Sequence, residues 1–263
     1  MPQFAHTPPT SDALAALWAR AAELATEFRA GIADRPQRPL STYHEMRAAF
    51  AAPLPETGAD PLAVIEDLAR RAAPGLQAVT GPRFFGWVMG ASHPAGVAAD
   101  FLTSAWGQNA GNHLAMPAAA AVEEIAARWL LDLLRLPADC SVGLVTGATL
   151  ANFTCLAAAR GEVLRRAGWD VEAQGLFGAP PVRVLIGDDA HTTVFSALQF
   201  LGLGHDRVTR VATDAQGRMI PAAFAAALEP ADGPIIAIAQ AGQINTGAFD
   251  PVGQLAPMLA GRN

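Results

Sequence analysis

Four segments of the chain carry residue types that could do chemistry, and three of them follow apolar runs that read as strands. In "LVTGATLAN" (144–152), Thr146, Gly147, Ala148 and Thr149 form a small, hydroxyl-bearing turn that leads into a helical stretch. Such a turn offers backbone N–H groups, two hydroxyls and the positive end of a helix dipole, which together suit a phosphate. It has neither the lysine of a GxxxxGK[ST] loop nor the glycines of GxGxxG, and an ordinary strand-to-helix turn would also account for its small residues. In "VLIGDDAHTTV" (184–194), Asp188, Asp189 and His191 come directly after an apolar run. A neutral imidazole there can stack on a flat ring or serve as acid or base. The plainer alternative has Asp189 capping the next helix and His191 at the surface. In "AQAGQINTGAFDPV" (239–252), Gln240, Gln243, Asn245 and Thr246 crowd a strand end, and two glycines allow close backbone approach to a ligand. Asp250 and Pro251 read as the start of a helix. The fourth segment, "RFFGWVMGASHPAG" (83–96), alternates aromatics with small residues. Phe84 and Phe85 read as core, and Trp87, beside glycine, as a pocket wall. His113, with Asn112, follows in "WGQNAGNHLAMP".

The elements that must position these residues follow from periodicity. Apolar spacing predicts a helix over 11–30 with Ser11 or Asp12 as cap, a second over 42–51, and a third over 61–73 behind Asp60 and Pro61. Proline-rich links join them. Residues 1–80 read as a helical N-terminal arm with little core of its own, which must pack on the rest of the chain or on a second subunit. A long helix is predicted over 117–136. Beyond it the chain alternates: strand 142–145, helix 150–167, strand 182–187, helix 192–201, strand 207–212, the turn "DAQG" (214–217), a helix opened by Pro221, strand 234–239, and a last helix from Pro251 to about Ala260. That alternation predicts an α/β domain over 81–263, with a mostly parallel sheet covered by helices on both faces. A further strand is due after "LAGRN", so the sheet is expected to be incomplete at the C-terminus.

Composition narrows the partners. The chain has 263 residues, 51% of them hydrophobic, and a net charge of −6 with no basic block, which argues against nucleic acid. The longest uncharged stretch, Phe101 to Val122, contains Gln108, Asn109, Asn112, His113 and Pro117, which excludes it as a membrane span. The N-terminus lacks the basic and apolar regions of a signal peptide. Two cysteines, Cys140 and Cys155, cannot make a disulfide framework or a metal cluster, so a cytoplasmic setting and no metal are expected. All 18 basic residues are arginine. The chain therefore has no side-chain primary amine.

Taken in order, "GPRFFGWVMG", the Pro117–Glu123 helix start, "TGATLAN", "DDAHTTV" and "TGAFDPV" resemble the group II pyridoxal-phosphate-dependent decarboxylases, relatives of the aromatic amino acid decarboxylases. The resemblance implies a fold type I architecture, pyridoxal 5'-phosphate as cofactor and an amino acid, with the aromatic ones favoured, as substrate. It implies that Thr146, Gly147, Ala148 and Thr149 bind the phosphate and that His191 stacks on the pyridine ring as the catalytic residue. It places Asn245 and Thr246 in the cofactor pocket, and Trp87 with His113 on the substrate side. The N-terminal helices are similar to that family's arm, which clasps the other subunit of a homodimer. One departure is Leu150, where the family usually has glutamate. A larger one is that the family's aspartate partner of the pyridine nitrogen and its Schiff-base lysine come later than Asn263. These residues are thus identified as the N-terminal part of such a decarboxylase, dependent on a complementary C-terminal segment. A degenerate, non-catalytic subunit of the same fold and another fold type I enzyme, such as an aminotransferase, remain the alternatives.

Overall fold

The computed structural model describes residues 10–229 and 233–261. The N-terminal nonapeptide and the final two residues of "LAGRN", both considered above, lie outside the described residues. The chain divides into two compact units, Met1–Gln108 and Asn109–Asn263.

The first unit is helical. Helix α1 (Ser11–Ala30) is capped one residue earlier than the sequence suggested: the Thr10 hydroxyl accepts the Ala13 N–H at 3.3 Å, and Ser11 and Asp12 lie inside the first turn. Helix α2 (Tyr43–Phe50) starts on a reciprocal capping box between Thr42 and Glu45. The hydrogen bond from the Thr42 backbone N–H holds the Glu45 carboxyl below the usual carboxylate range. Helix α3 (Pro61–Ala72) has the expected Asp60 cap, with Oδ2 accepting from Ala63 N at 2.9 Å. Arg20 on α1 pairs with Glu66 on α3. A fourth helix, α4 (Pro94–Ala105), falls where the sequence suggested only aromatic and glycine texture; Pro94 opens it and the His93 ring accepts the Ala95 N–H at 3.2 Å. Trp18 meets Phe101 edge to face at 5.7 Å. Ala78 is the one apolar residue of this unit that is fully buried among the described residues.

The second unit opens with α5 (Pro117–Leu133), which stops three residues short of expectation because Arg135 takes a left-handed φ of 54°. Leu131 is the only α5 residue buried among those described, whereas Val122, Trp129 and Leu133 are 70%, 68% and 77% exposed. The rest alternates as α6 (Ala148–Arg166), a short α7 (Val171–Gln174), β1 (Arg183–Gly187), α8 (Thr192–Phe200), β2 (Val208–Val211), α9 (Pro221–Ala227), β3 (Ile235–Ile238) and α10 (Val252–Leu255). The last element leaves α-geometry after one turn and continues as a tighter helix over Ala256–Leu259, so the single helix to Ala260 is replaced by two short ones.

The sheet has three strands in the order β2-β1-β3, all parallel. Side chains alternate across it. Val184 and Ile186 of β1 and Ile236 of β3 pack with Leu156, Val194, Ala197 and Leu198 on the face covered by α6 and α8. Leu185 and Ile235 turn to the other face, where Val211, Met219, Phe224, Leu228 and Leu255 cover them. A strand buried on both sides needs an unbroken apolar run, and "VLI" and "II" supply it. The expected strand 142–145 is not one: these residues form no ladder among the described residues. An extended segment becomes a strand only through a hydrogen-bonded neighbour, and 142–145 joins neither edge of the β2-β1-β3 sheet. Gly143 weakens the segment further.

Candidate active site

The chain leaves β1 and β3 at the same end of the sheet, on strands that are neighbours in space but are separated in sequence by β2. That is a topological switch point, where the two outgoing loops diverge and leave a crevice. A cavity of about 400 Å³ lies there. Its walls come from Gly187 at the end of β1 and Asp189 and His191 beyond it, from Gln240 to Gly242 after β3, and from Ala148 and Asn152 at the start of α6.

His191 is an exposed residue and the cap of α8: its Nδ1 accepts the Thr193 backbone N–H at 3.3 Å and lies 2.9 Å from the Thr193 hydroxyl. Asp189 does not cap that helix. Its Oδ2 accepts the Thr213 hydroxyl at 3.1 Å, tying the turn after β1 to the segment after β2. That segment folds back through a bridge between Thr213 and Met219, around the expected turn at 214–217. Within the turn, hydrogen bonding from the Arg218 backbone N–H and then its guanidinium holds the Asp214 carboxyl below its ordinary range.

Asp250 overturns its sequence reading. The sequence suggested a helix cap, yet α10 is capped by Pro251 with no side-chain hydrogen bond, and Asp250 points inward at 7% exposure. Its Oδ1 accepts the Met219 N–H at 2.7 Å and its Oδ2 the Gln240 N–H at 2.6 Å. Two backbone donors are better partners for a buried carboxylate than one exposed helix turn. The carboxylate thereby fastens the cavity wall at Gln240 to the segment that follows β2.

The other sequence-derived residues are placed as follows. Ala148 shares the cavity with His191, while Thr146, Gly147 and Thr149 line a second hollow of about 470 Å³ with Leu150, Phe153 and Phe200. The small-residue turn thus presents alternate faces to two hollows. Gly147 caps α6 without any side-chain hydrogen bond, so no side-chain oxygen occupies the N–H groups of its first turn. Asn245 and Thr246 line neither hollow. Their N–H groups donate to the Gln243 side-chain oxygen at 2.6 and 2.9 Å, and the Thr246 hydroxyl donates to Gln216 O at 2.8 Å. His113 is exposed on the turn before α5. Trp87 belongs to the first unit, is 80% exposed, and with Val88 takes a left-handed φ (61° and 49°). Phe84 is half-buried, but Phe85 is 91% exposed and is not core.

Sequence reasoning missed Asp250, Asn152 and Thr193 as parts of the site. Asn152 and Thr193 stand inside the quoted "TGATLAN" and "DDAHTTV" segments, and only their hydrogen bond across 41 positions makes them one group.

Gly217 supplies a first expected result. Its φ of +79° is left-handed, and a Cβ there would come within 2.8 Å of the Gln243 side chain and 3.2 Å of Asp189 Oδ2. Gly217→Ala should cost about 1–2 kcal/mol from the backbone alone, read as a lower urea midpoint. An unchanged midpoint would show that the turn relaxes freely.

A crevice at the switch point of a parallel sheet covered on both faces is the arrangement of open α/β folds, and the likeness in fold to a solved PLP decarboxylase places this unit in the fold type I architecture. The chain belongs to the pyridoxal-dependent decarboxylase family: the model of the "Pyridoxal-dependent decarboxylase conserved domain" matches residues 44–263. It is 30% identical over 210 residues to the aromatic-L-amino-acid decarboxylase of Bacillus atrophaeus, which covers 78% of this chain and 41% of that protein. It is 32% identical over 215 residues to the L-2,4-diaminobutyrate decarboxylase of Rhizobium meliloti (strain 1021), covering 80% of this chain and 41% of that one. Among solved structures, Oryza sativa TDC with PLP and tryptamine superposes with a TM-score of 0.84 at 24% identity, over 97% of this chain and 54% of that chain. The chain therefore spans about two fifths of the length of these curated relatives.

Proposed function

We propose that residues 1–263 are the N-terminal part of a pyridoxal-phosphate-dependent amino acid decarboxylase, with the cofactor held at the cavity after β1 and β3. The single observation that carries this reading is the meeting of the His191 turn, the start of α6 and the Gln240–Gly242 backbone around one cavity. Its volume falls within the range of small-ligand sites. The residues fit the group: His191 offers a ring to cover a heteroaromatic face, and the uncapped first turn of α6 offers N–H donors and a dipole to an anionic tail. Thr146, Gly147, Ala148 and Thr149 are assigned to the phosphate on that basis; Asn245 and Thr246, which line neither hollow, are assigned to the cofactor by the family resemblance. His113 is assigned to the substrate side by the family resemblance.

Pyridoxal phosphate, when bound, supplies the electron sink that the loss of CO2 requires. The protein's own residues then bind and orient. Asp250 and Asp189 hold the walls through Met219, Gln240 and Thr213, and His191 covers the ring and carries a proton. These residues contain no lysine, so a covalent amine partner for the cofactor would have to come from a complementary C-terminal segment. Residues 1–80 act as an arm toward a second subunit, residues 81–263 are part of the cofactor domain, and the enzyme works in the cytoplasm. Among the described residues no helix is long and apolar enough to cross a membrane. An aromatic amino acid is the favoured substrate, supported by the aromatic-L-amino-acid decarboxylase relative.

Titration with pyridoxal phosphate, followed by quenching of tryptophan fluorescence, tests the reading. Binding should weaken roughly two- to tenfold in His191→Ala, the weight of one aromatic stack. Equal affinity in both proteins would overturn it.

A further inference from the structure

We infer that Asn152 and Thr193 are positioning residues that decide which nitrogen of His191 carries the proton. This rests on the reading of His191 as the ring that covers the cofactor, and it assigns that ring a defined tautomer. The three side chains form a directed chain. Asn152 Nδ2 lies 3.2 Å from Thr193 Oγ1, and Thr193 Oγ1 lies 2.9 Å from His191 Nδ1. An amide nitrogen can only donate, so the Thr193 oxygen accepts from Asn152. The hydroxyl has a single proton, and with its oxygen engaged by Asn152 that proton is free to turn to the imidazole. The Thr193 backbone N–H also donates to Nδ1, at 3.3 Å, and a backbone N–H can never accept.

Two donors therefore converge on Nδ1, which must offer its lone pair to both. In the neutral ring the proton is then on Nε2, at the far edge of the imidazole. Asp189, the nearest carboxylate in sequence, has its Oδ2 engaged by the Thr213 hydroxyl. The tautomer is thus set from two helices at once: Asn152 rides on α6, and Thr193 and the His191 cap belong to α8. These helices pack against each other across the first core cluster, through Leu156, Val194, Ala197 and Leu198. Asn152 and His191 also line the same cavity. The arrangement leaves Nε2–H as the donor available to a ligand or a reacting carbon.

The test is nitrogen-15 NMR of the intact protein labelled in its histidine rings, at a pH where the imidazoles are neutral and without cofactor. The His191 signals are identified by their loss in His191→Gln. The wild type should show a protonated Nε2 and a bare Nδ1. In Asn152→Asp the carboxylate accepts the Thr193 proton, turns the hydroxyl's lone pairs toward Nδ1, and should raise the Nδ1–H fraction by roughly fivefold, the weight of one neutral hydrogen bond. Thr193→Val should raise it less, because it removes the hydroxyl donor without turning an acceptor toward Nδ1, and Thr193→Ser should restore the wild-type pattern. A protonated Nδ1 in the wild type, or identical patterns in wild type and Asn152→Asp, overturns the inference. If Asn152→Asp proves unstable, Asn152→Ala, which also frees the Thr193 oxygen from its donor, takes its place beside the Thr193→Val and Thr193→Ser pair, and a wild-type pattern in it overturns the role of Asn152. Because the spectra need no cofactor, a fixed tautomer together with unchanged pyridoxal phosphate affinity in His191→Ala would overturn the parent reading and leave this one standing.

Discussion

Asp250→Ala is expected to lower the unfolding free energy by about 2–4 kcal/mol, because the Met219 and Gln240 N–H groups lose their acceptor together. Both bonds are short and the carboxylate is 7% exposed, so water is a poor substitute. Asp250→Asn keeps one acceptor oxygen and should lose about half as much. The decisive measurement is urea unfolding of the three proteins side by side, and a change below about 0.5 kcal/mol for alanine would refute the assignment. The effect should not stop at stability. Gln240 begins the segment that walls the cavity, and its carbonyl also receives the Asp250 N–H at 3.0 Å. Freed of the carboxylate, that wall should exchange its amide hydrogens faster than the sheet beneath it.

Phe224→Ala should cost more, about 3–5 kcal/mol, the range for removing a large buried ring. Phe224 is 1% exposed at the centre of the second core cluster, against Leu185, Val211, Met219, Leu228 and Leu255. Calorimetry or denaturant unfolding reads the loss directly. Since Met219 belongs to the same cluster and donates its N–H to Asp250, the void should also loosen the carboxylate's grip. The double variant with Asp250→Ala is therefore expected to fall short of the sum of the two single losses. Strict additivity would show that packing and carboxylate act independently.

The parts of this fold that could be read from the sequence are those set by local pattern. The three strands appear within a residue at each end, because "RVLIG", "VTRV" and "IIAI" are short apolar or β-branched runs between turn residues. The long helices α1 and α6 appear for the same reason, since their periodicity extends over five turns. Helix α4 escaped because glycine at 96 and small residues dilute its apolar period, although the His93–Pro94 start was a usable signal. Segment 142–145 has strand composition and no strand, because pairing is decided by partners far away. The site divides likewise. Strand-end position brought His191 and the Gln240 segment to notice. Asp250 could not be read, because Asp–Pro before a helix is a local signal and the groups it binds, Met219 among them, lie 31 and 10 positions away.

The placing of β1 between its two partners also sets a timetable for synthesis. Both β2 and β3 are translated after β1, and the register joins Arg183 to Ile235. As the polypeptide leaves the ribosome, the middle strand has no neighbour until Val208 follows it. Its reverse side stays wet until Phe224 and finally Leu255 emerge. A nascent chain stalled inside that interval displays sticky aliphatic surface without a lid, the circumstance in which chaperones are recruited and inclusion bodies begin.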